Sequence, residues 1–289
     1  EDSDPYQDNA LVVAVVGATG AVGAEMVKCL ERSRMDIGEL RVFASERSAG
    51  RTVKFRNGEA VIAALSEDAF KGVDIALFAS ESDISRKYGA IAARAGAIVV
   101  DNSSAFRMDP DYPLVVPEVN GALVTPETRI IANPNCVAAI IVVALWPLHQ
   151  AAGIKRVIAS TYQSASGAGA AAMKELEDST RAYLDGKSFE PTVLPHPYAF
   201  NLFSHNAGIG ADGYNGEETK VIAELRKIMA LPELPVGVTC IRVPVLRAHS
   251  MSINVELDKK LTPDEAREVL SKAPGLKIVD DRQKNHFPM

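Results

Sequence analysis

The chain has 289 residues, 47% of them hydrophobic and 24% charged, which is the composition of a globular protein and excludes a disordered or fibrous one. A formal net charge of -6 excludes an overall field that gathers nucleic acid or anionic membrane, so an anionic substrate would have to be captured by local Arg and Lys residues. Three cysteines, Cys29, Cys136 and Cys240, have neither CxxC nor Cys/His spacing, which points to a reducing compartment, no bound metal and one reactive thiol at most.

In chain order, Leu11 to Val16 is an apolar, β-branched run that predicts a strand, and Ala21 to Leu30 has helical spacing. Between them lies Gly17-Ala18-Thr19-Gly20-Ala21-Val22-Gly23. Its first glycine permits a tight turn, its second lets backbone approach a pyrophosphate, and its third lets helix and strand pack closely. Strand, glycine turn and helix in that order make a dinucleotide-binding signal, with Gly17, Thr19, Gly20, Ala21, Val22 and Gly23 as cofactor contacts. The next strand, Leu40 to Ala44, runs into Ser45-Glu46-Arg47-Ser48. Glu46 would suit a free ribose hydroxyl, whereas Arg47 flanked by hydroxyls suits a 2′-phosphate, so Ser45, Arg47 and Ser48 are read as selecting NADP.

Val73 to Ala79 and Ala97 to Asp101 predict further strands around a helix over Ile84 to Ala95, a pattern that implies a parallel sheet covered on both faces. Asn133-Pro134-Asn135 then leads into Cys136 and the apolar run Val137 to Trp146. This seats a thiol at a helix start, where backbone N–H groups and the positive end of the helix favour a thiolate. Cys29 and Cys240 read as core thiols.

Beyond Cys136 the texture changes. Val157 to Tyr162 predicts a strand, Met173 to Leu184 a helix, 186–216 a long irregular excursion, and Glu217 to Met229 an amphipathic helix. Val238 to Val245 and Ser252 to Leu257 alternate like strands, and Thr262-Pro263 opens a last helix with a good cap. The expected fold is α/β: a Rossmann-type, parallel-sheet cofactor domain over residues 1–135, and a second α+β domain for catalysis and dimerisation over 136–289.

A thiolate needs a base, and there are five histidines. His149 is read as capping the helix that starts near Cys136, and His196, His205 and His286 as surface or packing residues. His249 follows the apolar run Cys240 to Leu246, with Arg242 and Arg247 close by; positive charge there would keep the ring neutral, as a base near pH 7 must be.

At this point the sequence resembles the aspartate-semialdehyde dehydrogenase family. The resemblance rests on the glycine loop, Arg47-Ser48-Ala49-Gly50, Val100 to Arg107, Asn133-Pro134-Asn135-Cys136, Ser160-Thr161-Tyr162-Gln163 with Ser166-Gly167-Ala168-Gly169, Tyr198-Ala199-Phe200-Asn201, and Arg242-Val243-Pro244 with Arg247-Ala248-His249. It implies a phosphorylating dehydrogenase that interconverts aspartyl β-phosphate and aspartate β-semialdehyde with NADPH, on the route to lysine, methionine and threonine. By the same resemblance Cys136 would be the nucleophile, His249 the acid/base, and Gln163 the residue that orients the acyl group. Arg242 would clamp the substrate α-carboxylate, Glu217 would receive its ammonium group, and Arg107, Lys220 and Asn102 would hold phosphate. Ser166 and Gly167 would contact the cofactor.

Residue by residue, Glu217 and Lys220 could equally be an i,i+3 surface pair and Arg107 an ordinary loop ion pair. The sequence departs from the family at Ser80-Glu81-Ser82-Asp83, where a glycine-bearing loop is usual, and at Val137-Ala138-Ala139, where small hydroxyl residues are usual. The alternatives are an N-acetyl-γ-glutamyl-phosphate reductase, whose acetylated substrate would not need Glu217, and a catalytically silent homologue serving as an interaction subunit. The expected partners are a small-molecule substrate and further copies of the chain, as homodimer or homotetramer, with no nucleic acid and no membrane.

No run reaches the roughly 18 apolar residues of a membrane span, and the acidic start, with Glu1, Asp2, Asp4 and Asp8, does not suit a leader peptide. A cytoplasmic protein is expected, or a plastid one whose leader has been removed. The stop just after Phe287-Pro288 reads as a fragment lacking the family's C-terminal segment.

Overall fold

The structure is a computed structural model that describes residues 10–205 and 207–288. The acidic segment of residues 1–9 and the terminal Met289, on which the leader and fragment expectations bear, lie outside the described residues. Two compact units divide the chain: unit 1 is 1–114, 123–134 and 168–174, and unit 2 is 115–122, 135–167 and 175–289.

Unit 1 is built on a seven-stranded sheet. Its apolar, β-branched centre is β1 (Leu11–Val16), in which Val13, Ala14, Val15 and Val16 are buried, as a strand covered on both faces requires. Parallel neighbours are β2 (Ile37–Ala44) on one side and β5 (Ile75–Phe78) on the other, and β6 (Ile98–Asp101) and β7 (Ile130–Ala132) continue the sheet beyond β5. Beyond β2 lie β4 (Gly58–Ala64), parallel to it, and the antiparallel edge strand β3 (Thr52–Phe55). The helices are α1 (Ala21–Arg32) and α2 (Ser82–Arg94); α1 packs Val27 and Leu30 into a core with Val13, Val15, Val42 and Ile62. Strand order reverses between β1 and β5, so the carboxyl ends of these strands open a crevice of the kind that binds ligands in such sheets.

Unit 2 carries a four-stranded mixed sheet. Its centre is β8 (Ile154–Gln163), which pairs parallel with β10 (Val236–Arg242) and antiparallel with β11 (Ser250–Leu257); the two-residue β9 (Phe203–Ser204) closes the far edge of β10. The helices are the four-residue α3 (Pro117–Asn120), α4 (Cys136–Ala152), α5 (Ala170–Leu184), of which 175–184 belong to this unit and 170–174 to unit 1, α6 (Gly216–Met229) and α7 (Pro263–Ser271). The apolar face of α4, Val137, Ala138, Ile141, Val142 and Leu145, is buried, and α4 packs on α6 and α7.

The expected strand over Val238 to Val245 ends early, at Arg242. Pro244 has no N–H to give a ladder, and Val243 N–H turns back to the Gln163 carbonyl at 3.1 Å. The helix from Cys136 ends at Gly153, whose N–H donates to the His149 carbonyl at 2.8 Å, while His149 Nδ1 accepts from Ile154 N–H at 3.2 Å. Among the described residues no helix is long and apolar enough to cross a membrane.

Candidate active site

In unit 1 a groove of about 600 Å3 lies over the carboxyl ends of the sheet, lined by Gly17, Thr19 and Gly20 after β1, Ser45 and Glu46 after β2, and Ser80, Glu81, Ile84 and Tyr88 at the start of α2. The turn is shaped by two glycines. Gly17 has φ +83°, and a Cβ on it would strike the Ala79 carbonyl; a Cβ on Gly23 would strike the Gly17 carbonyl. A cradle that tight and a groove of that size fit a dinucleotide whose pyrophosphate rests on the start of α1. Ala21 and Val22 form the first turn of α1. Arg47 and Ser48 sit in the turn after β2, but it is Ser45 and Glu46 that line the groove. The Ser80 to Asp83 segment, where the family's glycine-bearing loop was expected, caps α2 and brings Glu81 to the groove wall.

Also in unit 1, Arg107 is buried and held by backbone carbonyls: Nε donates to Asn133 O at 2.9 Å and Nη2 to Asn102 O at 2.7 Å. Asn133 Nδ2 donates to Asn102 Oδ1 at 2.6 Å, which fixes the two amides against each other.

In unit 2, Cys136 is the first residue of α4 and is exposed. Asn135 makes the helix start: its Oδ1 accepts from Val137 N–H at 2.9 Å and Ala138 N–H at 3.3 Å, and its own N–H donates to Glu224 at 2.5 Å. The departure at Val137-Ala138-Ala139 therefore leaves this cap intact, because the capping groups there are backbone. The Cys136 Sγ lies 3.3 Å from His249 Nε2.

The tautomer of His249 follows from its other nitrogen. Nδ1 faces the Ser164 N–H at 3.0 Å, and a backbone N–H can only donate, so Nδ1 accepts and the neutral ring carries its proton on Nε2, towards the sulfur. Burial, and then the charge of Arg242, push the His249 pKa below its ordinary value. Positive charge alone was expected to act on this ring; desolvation is the larger cause. Ala248, at φ +69°, turns the chain so that the ring faces Ser164 and Cys136.

Gln163 ends β8, 1% exposed, with Oε1 accepting from Thr161 Oγ1 at 3.0 Å and Nε2 donating to Glu217 Oε1 at 3.2 Å. Glu217, in the first turn of α6, also accepts on Oε1 from Asn135 Nδ2 at 2.9 Å, which leaves Oε2 without a hydrogen bond among the described residues. Burial alone would raise its pKa, but the Asn135 and Gln163 donors and the charge of Lys220, joined by His205 when that ring is protonated, bring it below the ordinary carboxylate value, so it is ionised at pH 7. Lys220 follows one turn later and is exposed.

Arg242, at the end of β10 and 3% exposed, donates from Nη1 to Ser164 O at 3.0 Å; its Nε is buried without a partner. Its Nη2 is 2.9 Å from His205 Nε2. His205 was read as a surface or packing residue. Only the pairing of β9 with β10 brings it here, across 37 residues of chain, and no spacing rule could have found it. Gly167 lies beside the same groups: a Cβ on it would come within 3.1 Å of Arg242 Nη1 and 3.2 Å of His249 Cε1. Ser166 Oγ is 3.0 Å from Ser164 Oγ, which in turn is 3.1 Å from His249 Nδ1. Among the described residues no group of His, Cys, Asp and Glu side chains could hold a metal ion.

Unit 2 thus assembles a thiol at a helix N-terminus, an imidazole with its proton aimed at that thiol, an ionised carboxylate with one free oxygen, and a buried guanidinium. That set can form and break an acyl bond on sulfur while holding a substrate that has both an ammonium and a carboxylate group.

Comparison with known proteins gives the same direction. Residues 12–125 match the model described as "Semialdehyde dehydrogenase, NAD binding domain", and residues 145–289 match "Semialdehyde dehydrogenase, dimerisation domain". An aspartate-semialdehyde dehydrogenase of Prochlorococcus marinus is 48% identical over 99% of this chain and 83% of its own length, and that of Bacillus subtilis is 43% identical over 96% and 83%. The crystal structure of aspartate semialdehyde dehydrogenase II complexed with ASA from Vibrio cholerae superposes with a TM-score of 0.91 at 38% identity, covering 94% of this chain and 81% of that one. An enzyme with NADP from Candida albicans, at 22% identity and a TM-score of 0.68 over 91% and 76% of the two chains, shares the fold. With a dinucleotide groove, a paired thiol and imidazole, and relatives this similar over nearly its whole length, the chain belongs to the aspartate-semialdehyde dehydrogenase family of oxidoreductases.

Proposed function

We propose that the chain catalyses the NADPH-dependent conversion of L-aspartyl 4-phosphate to L-aspartate 4-semialdehyde and phosphate, a step serving lysine, methionine and threonine synthesis. The observation that carries this reading is the 3.3 Å approach of Cys136 Sγ to His249 Nε2. In the reductive direction the Cys136 thiolate attacks the acyl carbon, the carbon–oxygen bond to phosphate breaks, and a thioester remains on sulfur. When bound, the nicotinamide supplies a hydride. His249 hydrogen-bonds the resulting thiohemiacetal oxyanion through Nε2–H, and the oxyanion collapses to the aldehyde as the carbon–sulfur bond breaks and the Cys136 thiolate is released.

Arg242 clamps the α-carboxylate, Glu217 receives the ammonium group on its free Oε2, Gln163 orients the acyl group, and Asn102, Arg107 and Lys220 contact phosphate. Gly17, Thr19, Gly20, Ala21, Val22 and Gly23 cradle the cofactor, with Ser166 and Gly167 as further contacts and Ser45, Arg47 and Ser48 reading the 2′-phosphate. The work of Glu217 favours this substrate over an N-acetylated one, which has no ammonium group. The outer face of the unit 2 sheet, where Ile158 and Tyr162 are each 45% exposed, is proposed as the contact between two copies.

The test is oxidation of aspartate semialdehyde with NADP and NAD in parallel, with and without phosphate. Phosphate-dependent reduction of NADP is expected. Turnover of N-acetylglutamate semialdehyde instead, or turnover indifferent to phosphate, would overturn the reading.

A further inference from the structure

Arg242 is a buried cation that no carboxylate neutralises. Among the described residues it has no ion-pair partner; its fork is held by the Ser164 carbonyl on Nη1 and His205 on Nη2, at 3.0 and 2.9 Å. Guanidinium nitrogens only donate, so His205 Nε2 must be the acceptor, and the ring there is neutral with its proton on Nδ1. That Nδ1 and the Tyr198 hydroxyl, like Arg242 Nε, are buried without partners. His205 is placed from the backbone: β9 runs antiparallel to β10, and His205 N–H donates to the Cys240 carbonyl at 3.0 Å.

A carboxylate in this position would hold the fork as firmly, but it would cancel the charge and compete with any incoming anion. A neutral imidazole orients the fork and leaves its charge available. We infer that His205 is a positioning residue for the substrate-carboxylate clamp, acting through Arg242 by accepting from Nη2. This rests on the assignment of Arg242 to the substrate carboxylate made above.

The arrangement predicts a pH dependence. The groups that face His205 are Arg242 and Cys240 on β10 and Glu217, Glu218 and Lys220 on α6, and the Tyr198 phenol, ahead of β9, acts on Arg242. Cys240 and Tyr198 are both raised by burial, Cys240 to about 12, so they stay neutral near pH 7. Burial and then Arg242 lower the His205 pKa from its ordinary 6.5, against the pull of Glu217 and Glu218. His205 is therefore neutral above its depressed pKa and the clamp is set. As pH falls through that value, protonation removes the acceptor and sets a second positive charge against the guanidinium. Substrate KM should rise on the acid side.

The experiment measures the KM of aspartate semialdehyde and of NADP from pH 5.5 to 8.5 in the wild-type enzyme, His205→Gln, His205→Phe and Arg242→Lys. Phe cannot accept a hydrogen bond, so His205→Phe should raise the aldehyde KM about tenfold above the wild-type value at neutral pH, with the difference narrowing on the acid side and the NADP KM unmoved. The Gln carbonyl accepts but does not titrate, so His205→Gln should bring KM back to within about threefold of wild type and abolish its acid rise. A His205→Phe enzyme with wild-type aldehyde KM, or a His205→Gln enzyme that keeps the acid rise, overturns the inference. The Gln profile decides if the Phe variant does not fold. Arg242→Lys separates the two claims: an unchanged KM there overturns the carboxylate clamp and the inference with it, whereas a raised KM beside an unaffected His205→Phe overturns the inference alone.

Discussion

At the scale of single residues, the proposed reaction rests on one sulfur atom, that of Cys136, and its environment is local and polar. Serine keeps the size and the helix start at position 136 but lacks a readily ionised nucleophile. Cys136→Ser should therefore bind NADPH as the wild type does, by fluorescence titration, while turnover falls by about 10^4-fold or more. Turnover within tenfold of wild type would remove the covalent route. How far such residues could be read from the sequence depended on distance along the chain. Asn133-Pro134-Asn135-Cys136 declares itself, because a capping Asn two residues before an apolar run is a local signal. His205 does not, since its meaning comes from Arg242 through a two-residue strand. The tautomer of His249 was equally hidden, because it is set by the Ser164 N–H, 85 residues away.

At the scale of elements, the predicted strands and helices match elements of the structure to within a few residues at their ends. Strands β3, β4 and β7 went unrecognised: β3 has four residues of alternating exposure, β7 has only three, and three of the five apolar residues of β4, Ala60 to Ala64, are alanines, which favour strands poorly. The excursion over 186–216 is irregular, as expected, but it is tethered. Glu175 of α5 is 4% exposed and accepts from the backbone N–H groups of Thr192, Val193 and Leu194 at 2.6, 2.7 and 2.9 Å. Burial would raise its pKa, yet those three donors hold it below the ordinary 4.5. A depressed folded-state pKa adds stability that is full above the unfolded value and is lost as pH falls through the folded one. Glu175→Gln should therefore cost about 1–3 kcal/mol in urea unfolding at pH 7, with the difference shrinking at pH 3. Equal urea midpoints at pH 7 would show that the tether contributes nothing.

At the scale of the molecule, the alternation of apolar strands and helices in the first half was enough to read a parallel sheet with a nucleotide crevice. The second half was harder, because a mixed sheet of parallel and antiparallel pairs is decided by long connections that leave no periodic trace. The proposed contact between copies belongs at this scale. Ile158 and Tyr162 point outward from β8, opposite Asn254 and Ser250 of β11, so Ile158→Asp should shift the sedimentation profile from dimer or tetramer towards monomer. A wild-type chain that already sediments as a monomer would dismiss this surface. One strand also joins the two roles proposed for unit 2. Along β8 the side chains alternate, with Thr161 and Gln163 buried towards the site and Ile158 and Tyr162 facing out. Sliding β8 by one residue against β10 and β11 would turn Gln163 outward and Tyr162 inward, so a single insertion or deletion there would damage chemistry and association together. A change in the length of this chain can therefore be absorbed in a loop, whereas β8 is open only to substitution.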